Sequence, residues 1–132
     1  MCRFDPAAVV TESWTLRIAS YAPTQNSLGG NTKDGRKYRG WRKRWETEFG
    51  TWLATLPPAK RRRRVTITRE FGKGKRAFDR VNFMGGCKPL LDTLTNFGAL
   101  YDDSELWCED HYAQRKSEDG IDYVTVLVEE LS

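Results

Sequence analysis

Trp41, Trp45, Phe49, Trp52, Leu53 and Leu56 recur at steps that place them on one side of a helix. A chain with that stripe has to fold around a helix buried along one face. The pattern predicts this helix over residues 36–56, and Pro57-Pro58 closes it because proline offers no N–H to the preceding turn. Its period is helical, so the aromatic stripe reads as core rather than as a row of base-stacking platforms. Arg39, Arg42, Lys43 and Arg44 fall on the other faces of its first half.

Strand signals flank that helix. Residues 14–19 (WTLRIA) alternate apolar and polar, as do residues 64–71 (RVTITREF), where β-branched residues strengthen the signal. Residues 106–115 and 121–131 read as two more strands joined by a turn at 117–120. Residues 20–35, with Pro23, Asn26, Gly29, Gly30, Asn31 and Gly35, form a long loop of the kind that is usually functional or mobile. A basic turn, GKGKRA at 72–77, leads through residues 79–83 into a second helix expected over 86–97. Pro89 fits its first turn, Leu90, Leu91, Leu94 and Phe97 its apolar face, Lys88, Asp92 and Thr95 its polar face, and Gly98 its C-terminal cap. The expected architecture is one small α/β domain of α+β character over residues 1–132. A mixed β-sheet carries two main helices packed on it, and residues 1–13 are a loose end. At 132 residues the chain is long enough for one core, and no internal repeat divides it.

Charge is distributed unevenly. Between Lys33 and Arg80 there are 17 Lys/Arg against 5 Asp/Glu; from Val81 to Ser132 there are 3 against 11. A net charge of +4 hides this division. The basic part suits a polyanion, and the acidic part suits cations or a basic partner. Five consecutive cations, Lys60 to Arg64, exceed what a solvated face needs, so nucleic acid is the expected partner. The residues expected to face DNA are Lys37, Arg39, Arg42, Lys43, Lys60, Arg61, Arg62, Arg63, Lys73, Lys75 and Arg76. Three cysteines without C-x-x-C spacing, and a single histidine, argue against structural zinc and for thiols in a reducing compartment. No apolar run reaches the ~20 residues that span a bilayer, and the first residues lack the pattern of a secretory signal. A cytoplasmic location is expected.

The densest group of chemically useful side chains lies at 78–104, FDRVNFMGGCKPLLDTLTNFGALYDDS. Metal-assisted phosphodiester cleavage needs an activated water, a polarised phosphoryl oxygen and a neutralised leaving oxygen. Magnesium favours carboxylate and phosphate oxygens. Asp79 and the Asp102-Asp103 pair flank the second helix and can meet at one end of it. Lys88 stands near its start, where it and the first amides from Gly86 onwards can face a phosphate. Each piece also has an ordinary structural reading. Asp102-Asp103-Ser104 suits a turn and cap, Lys88 and Asp92 suit a surface pair, and Gly85-Gly86 suits a loop. The ordered set is more specific than its parts.

That set resembles the signature of the RusA family of Holliday-junction resolvases, in the variants common in phages and prophages. Their pattern is D-x-D-N, Gly-Gly and a lysine, D-x-L, then a glycine and D-D-S. The matching residues are Asp79 and Asn82, Gly85-Gly86-Cys87-Lys88, Asp92-Thr93-Leu94, Gly98 and Asp102-Asp103-Ser104. The wider layout is also similar: an early strand, a P-x-x-N loop at Pro23 and Asn26, a basic helix, a strand and a C-terminal strand. The likeness spans residues 15–130, with only the central 27 residues specific. It implies a homodimeric endonuclease that nicks a four-way DNA junction in pairs and uses Mg²⁺, for which Mn²⁺ can stand in. Its location would be a bacterial cytoplasm, with either host or phage as source. Carried over, Asp79 and Asp103 hold metal, Lys88 serves the phosphate, Asp102 assists, and Asn82 and Asp92 orient their neighbours.

The chain departs from the pattern once. Asp79-Arg80-Val81-Asn82 has valine where the family has its second acid. Valine binds no metal. Either another acid, Asp102 or Glu70, compensates, or the protein binds junctions without cutting them well.

Overall fold

A computed structural model describes residues 8–28, 35–102, 104 and 106–132. The domain is α+β, built on a mixed four-stranded sheet. Its elements in chain order are β1 (Val10–Ile18), α1 (Arg36–Leu53), β2 (Arg63–Phe71), α2 (Arg80–Gly86), α3 (Lys88–Asn96), β3 (Cys108–Lys116) and β4 (Tyr123–Leu131). A 3-10 turn, Asn26–Leu28, lies in the loop between β1 and α1.

The sheet order is β1-β4-β2-β3. β4 pairs antiparallel with both β1 and β2, and β2 pairs in parallel with β3. A parallel pair needs a long crossover, which α2 and α3 provide. The last two strands are therefore not a hairpin, because β2 lies between them. The turn joining them crosses the end of β2, where Lys73 N donates to Gly120 O at 3.0 Å. Gly72 makes that crossing possible: a Cβ there would stand 2.5 Å from the Gly120 carbonyl oxygen.

Register explains which face is covered. Leu16, Val126, Ile67 and Tyr112 line up across the four strands, and Trp14, Val128 and Val65 lie on the same face. This face joins Trp45, Phe49 and Leu53 of α1 and Leu90, Leu91 and Leu94 of α3 in one core. The opposite face carries Thr15, Thr66, Thr68 and Thr125 beside Arg17 and Arg64, so it is polar. The aromatic stripe divides by depth. Trp45 and Phe49 are buried, while Trp41 and Trp52 pack at the margin.

Several boundaries differ from expectation. α1 ends at Leu53, and residues 54–56 form turns, with Leu56 N donating to Leu53 O at 3.1 Å. Residues 10–13 belong to β1 rather than to a loose end, because their backbone pairs with β4. The expected single second helix is two helices meeting at Cys87, which ends α2 and caps α3. Gly98 has the left-handed φ of 81° expected of the residue after the C-cap Phe97.

Candidate functional site

Asp79 caps the N-terminus of α2, its side chain accepting a hydrogen bond from Asn82 N at 3.3 Å. An N-capping aspartate is a local device that relieves the unpaired amides of a helix start. The capping leaves Asp79 exposed beside the basic turn at 72–77. That turn is anchored at Gly72. Lys75 N donates to Gly72 O at 3.2 Å, and Gly72 N donates to Asp122 Oδ1 at 2.6 Å.

Asn82 holds the loop from the other side of the site. Its backbone carbonyl accepts from Gln25 N at 2.8 Å, and its side-chain Oδ1 accepts from Asn26 N at 3.1 Å. The glycines complete the junction. A Cβ on Gly86 would lie 2.1 Å from Pro23 O, and one on Gly85 would lie 2.7 Å from Gln25 Cδ. Gly85-Gly86 is therefore a close-packed seam, not a loop, and it joins the P-x-x-N segment to α2. The Cys87 amide donates to Phe83 O and Met84 O, both at 3.1 Å. It is committed to α2 and does not present itself to an anion.

Gln25, Arg80, Val81, Met84, Gly85, Lys88, Leu91 and Tyr112 line a hollow of about 780 Å³. Val81, 67% exposed, stands on this hollow at the position of the missing acid. Lys88 Nζ lies 3.0 Å from Asp92 Oδ1, one turn further along α3. Tyr38 of α1 donates its hydroxyl to the other oxygen of Asp92. Asp92 is thus held between a tyrosine and a lysine, which suits an orienting role.

Asp102 is exposed midway along the connection between α3 and β3. Asp103, expected to hold metal, lies outside the described residues. Among the described residues, no three His, Cys, Asp or Glu side chains gather into a group that could hold a metal ion. Magnesium needs only one or two carboxylates beside phosphate oxygens and waters, and Asp79 and Asp102 are exposed carboxylates of that kind. Glu70 does not take the place of the missing acid. Its carboxylate faces the polar side of the sheet and accepts from Arg17 at 2.9 and 3.1 Å, with Arg115 at 3.6 Å. Hydrogen bonding to Arg17 is the main reason its carboxyl is held below the usual range.

β3 contributes two residues that the strand signal alone did not mark. Tyr112 lines the hollow, and its hydroxyl donates to Asp110 at 2.5 Å. Burial, then this bond, push the Tyr112 hydroxyl pKa up. Burial, with Asp110 nearby, likewise pushes up the Cys87 thiol, so Cys87 packs and stays protonated. Only the parallel pairing of β3 with β2 brings this strand under α2.

The cations expected to face DNA divide into two sets. Lys37, Arg39 and Lys43 on α1 are exposed, as are Lys60, Arg61, Lys73, Lys75 and Arg76. Arg42 and Arg62 are partly covered, and Arg42 pairs with Glu46 at 3.4 Å. Arg63 differs: it is 1% exposed. It donates to Ala99 O at 3.0 Å and to Glu130 at 3.1 and 3.3 Å, with its guanidinium 4.7 Å from the Trp14 ring centroid. Arg64 beside it pairs with buried Glu109. The five-cation run therefore enters β2 partway, and its last two members stabilise the sheet.

No protein-family model matches the chain, and no curated protein matches it. No helix among the described residues is long and apolar enough to cross a membrane.

Proposed function

We propose that this protein is a structure-selective DNA endonuclease that resolves Holliday junctions and related branched DNA by paired nicks in recombination and repair, working as a homodimer of RusA type. The observation that carries the reading is the seam at Gly86, Asn82 and Pro23. It draws Gln25 of the P-x-x-N loop, Arg80 and Val81 next to the Asp79 cap, and Lys88 around one hollow, and these belong to segments that the RusA-like signature combines. The exposed cations of α1, the Lys60-Arg61 pair and the turn at 72–77 supply phosphate contacts, which set affinity without reading sequence. A two-fold dimer would match the symmetry of a four-way junction.

In this reading Asp79 and Asp103, with Asp102, would hold Mg²⁺, and the ion would supply charge neutralisation at the scissile phosphate. Lys88 faces the phosphate while Asp92 fixes its direction, and Asn82 keeps the loop in place. The test is nicking of a labelled four-way junction beside linear duplex of the same length, with Mg²⁺. Preferential nicking of the junction that Asp79→Asn removes supports the reading. Equal cutting of both substrates would remove its structure-selective part.

A second reading is favoured by one observation. Val81 presents an apolar side chain to the hollow where the signature has an acid. In that reading the protein binds junctions and does not cut them. Salt-sensitive junction binding without nicks in Mg²⁺ or Mn²⁺, with activity appearing in Val81→Asp, would establish it.

A further inference from the structure

The loop that reaches the candidate site also carries an aromatic ring set among cations. Tyr21 is 51% exposed, just beyond the end of β1. Its ring meets Trp41 of α1 edge to face, with centroids 5.2 Å apart and planes at 87°. The Arg44 guanidinium lies 4.5 Å from the Tyr21 centroid and 4.9 Å from that of Trp41. Arg44 is itself fixed by a 2.9 Å hydrogen bond to buried Ser20. Lys75 Nζ approaches the Tyr21 ring at 5.9 Å.

A hollow opens on each side of the ring. One, of about 300 Å³, is lined by Lys37, Trp41 and Arg44; the other, of about 330 Å³, by Arg69, Lys75 and Arg76. Among the described residues no acid lines either hollow. The polar hollow at the other end of the domain is different, because Arg17, Arg115 and Lys116 are balanced there by Glu70, Glu118 and Asp119. A single exposed tyrosine is ordinary on a protein surface. Arg44 pairs with Glu48 at 3.3 Å and Lys75 with Asp122, neither acid lining the hollows, while Lys37 and Arg76 are exposed. A half-exposed ring held in place between two hollows lined by cations suits a planar group attached to an anionic chain.

We propose that Tyr21, backed by Trp41 and flanked by Arg44, Lys37 and Lys75, is a stacking platform for an unpaired base of branched DNA; this rests on the DNA reading above. Stacking on an aromatic face tolerates any base, and the surrounding cations hold the adjoining phosphates. Bases within a duplex are already stacked and cannot use such a ring, so the platform favours DNA opened at a branch point. Its position agrees with this role. Gln25, which lines the candidate site, is four residues from Tyr21, so their Cα atoms lie within about 14 Å along even a fully extended chain. A strand whose open base rests on Tyr21 would have its backbone a few nucleotides from Lys88.

The test compares wild type, Tyr21→Phe and Tyr21→Leu for binding to fluorescently labelled oligothymidine, a forked DNA with unpaired arms, and linear duplex at one fixed salt concentration. Leucine keeps the apolar bulk and removes the π face. Tyr21→Leu is expected to weaken binding of oligothymidine and forked DNA about tenfold, to leave duplex binding within about twofold, and to melt with wild type. Tyr21→Phe is expected to bind all three like wild type. If Tyr21→Leu binds forked DNA as wild type does, the platform is wrong and the DNA reading stands. If Tyr21→Leu weakens duplex binding as much, the residue does not select unpaired bases and the proposal also falls. If wild type binds none of the three at low salt, the DNA reading fails, and the platform with it.

Discussion

Gly86 lies directly beneath Pro23: a Cβ at Gly86 would approach the Pro23 carbonyl oxygen to 2.1 Å, well inside any real contact. The neighbour is backbone, so it has no rotamer through which to escape. The two residues are 63 positions apart, yet their contact places the loop after β1 on α2 and gives the candidate site its shape. Gly86→Ala tests this contact. Alanine in a helix gains up to about 1 kcal/mol over glycine. Overpacking against fixed backbone costs about 1–3 kcal/mol. The variant is expected to be less stable than wild type in urea denaturation, and a rise in stability would show that the seam is loose.

Tyr38 and Lys88 grip opposite oxygens of Asp92 and tie α1 to α3. A hydrogen bond to a charged group is worth about 1.5–3 kcal/mol. Partial exposure of this one places it at the low end. Tyr38→Phe is expected to lower stability by about 1–2 kcal/mol, read as a lower denaturation midpoint at unchanged slope. No change would mean that water replaces the tyrosine without loss.

Arg61 and Arg63 are two positions apart and predict opposite behaviour. Arg61 is exposed, whereas Arg63 is buried against Glu130, Ala99 O and Trp14. If Arg61 contacts a phosphate, Arg61→Gln should lower the salt slope of junction binding by about 0.9 and leave stability alone. Arg63→Met should do the reverse: the fold loses about 3 kcal/mol or more, as expected when one partner of a buried pair is removed, and the salt slope stays. A slope change in Arg63→Met while the fold is intact would contradict its placement.

Acid should weaken the far end of the sheet. The Glu70 carboxyl is held below its usual pKa chiefly by Arg17, and that of Asp119 is lowered from 3.8 to about 2, chiefly by the Tyr123 hydroxyl and then Ser117. Both carboxyls titrate lower in the folded chain than in the unfolded one. Their stabilisation is therefore complete above the unfolded values near 4 and is lost as pH falls through the folded values. Melting temperature should fall between about pH 5 and pH 2, and Tyr123→Phe should flatten the lowest part of that fall. An unchanged profile in Tyr123→Phe would remove Asp119 from the account.

Local patterns were largely legible in the sequence, and long-range pairings were not. The stripe from Trp41 to Leu53 marked α1 because helical burial repeats with the backbone, and the alternation in residues 64–71 marked β2 for the same reason. The crossing of the β3–β4 turn over β2 was hidden, because its determinant, Gly72 against Gly120, is a contact between distant backbones. The break at Cys87 was hidden because the apolar spacing runs on from α2 into α3. Arg63 was misplaced because a run of like charges carries no sign of which member enters a strand. In the candidate site, Asp79, Asn82 and Lys88 were legible as an ordered set. Tyr112 and Asp110 were not, because only the parallel pairing of β2 with β3 brings them beneath α2.

The most direct measurement of the central claim is nicking of a labelled four-way junction in Mg²⁺, with linear duplex as companion and Asp79→Asn and Asp103→Asn as controls. Paired nicks at symmetric positions of the junction, little cutting of duplex, and loss of cutting in both variants are expected. A junction that is bound and never nicked, by wild type or by Val81→Asp, would contradict that claim.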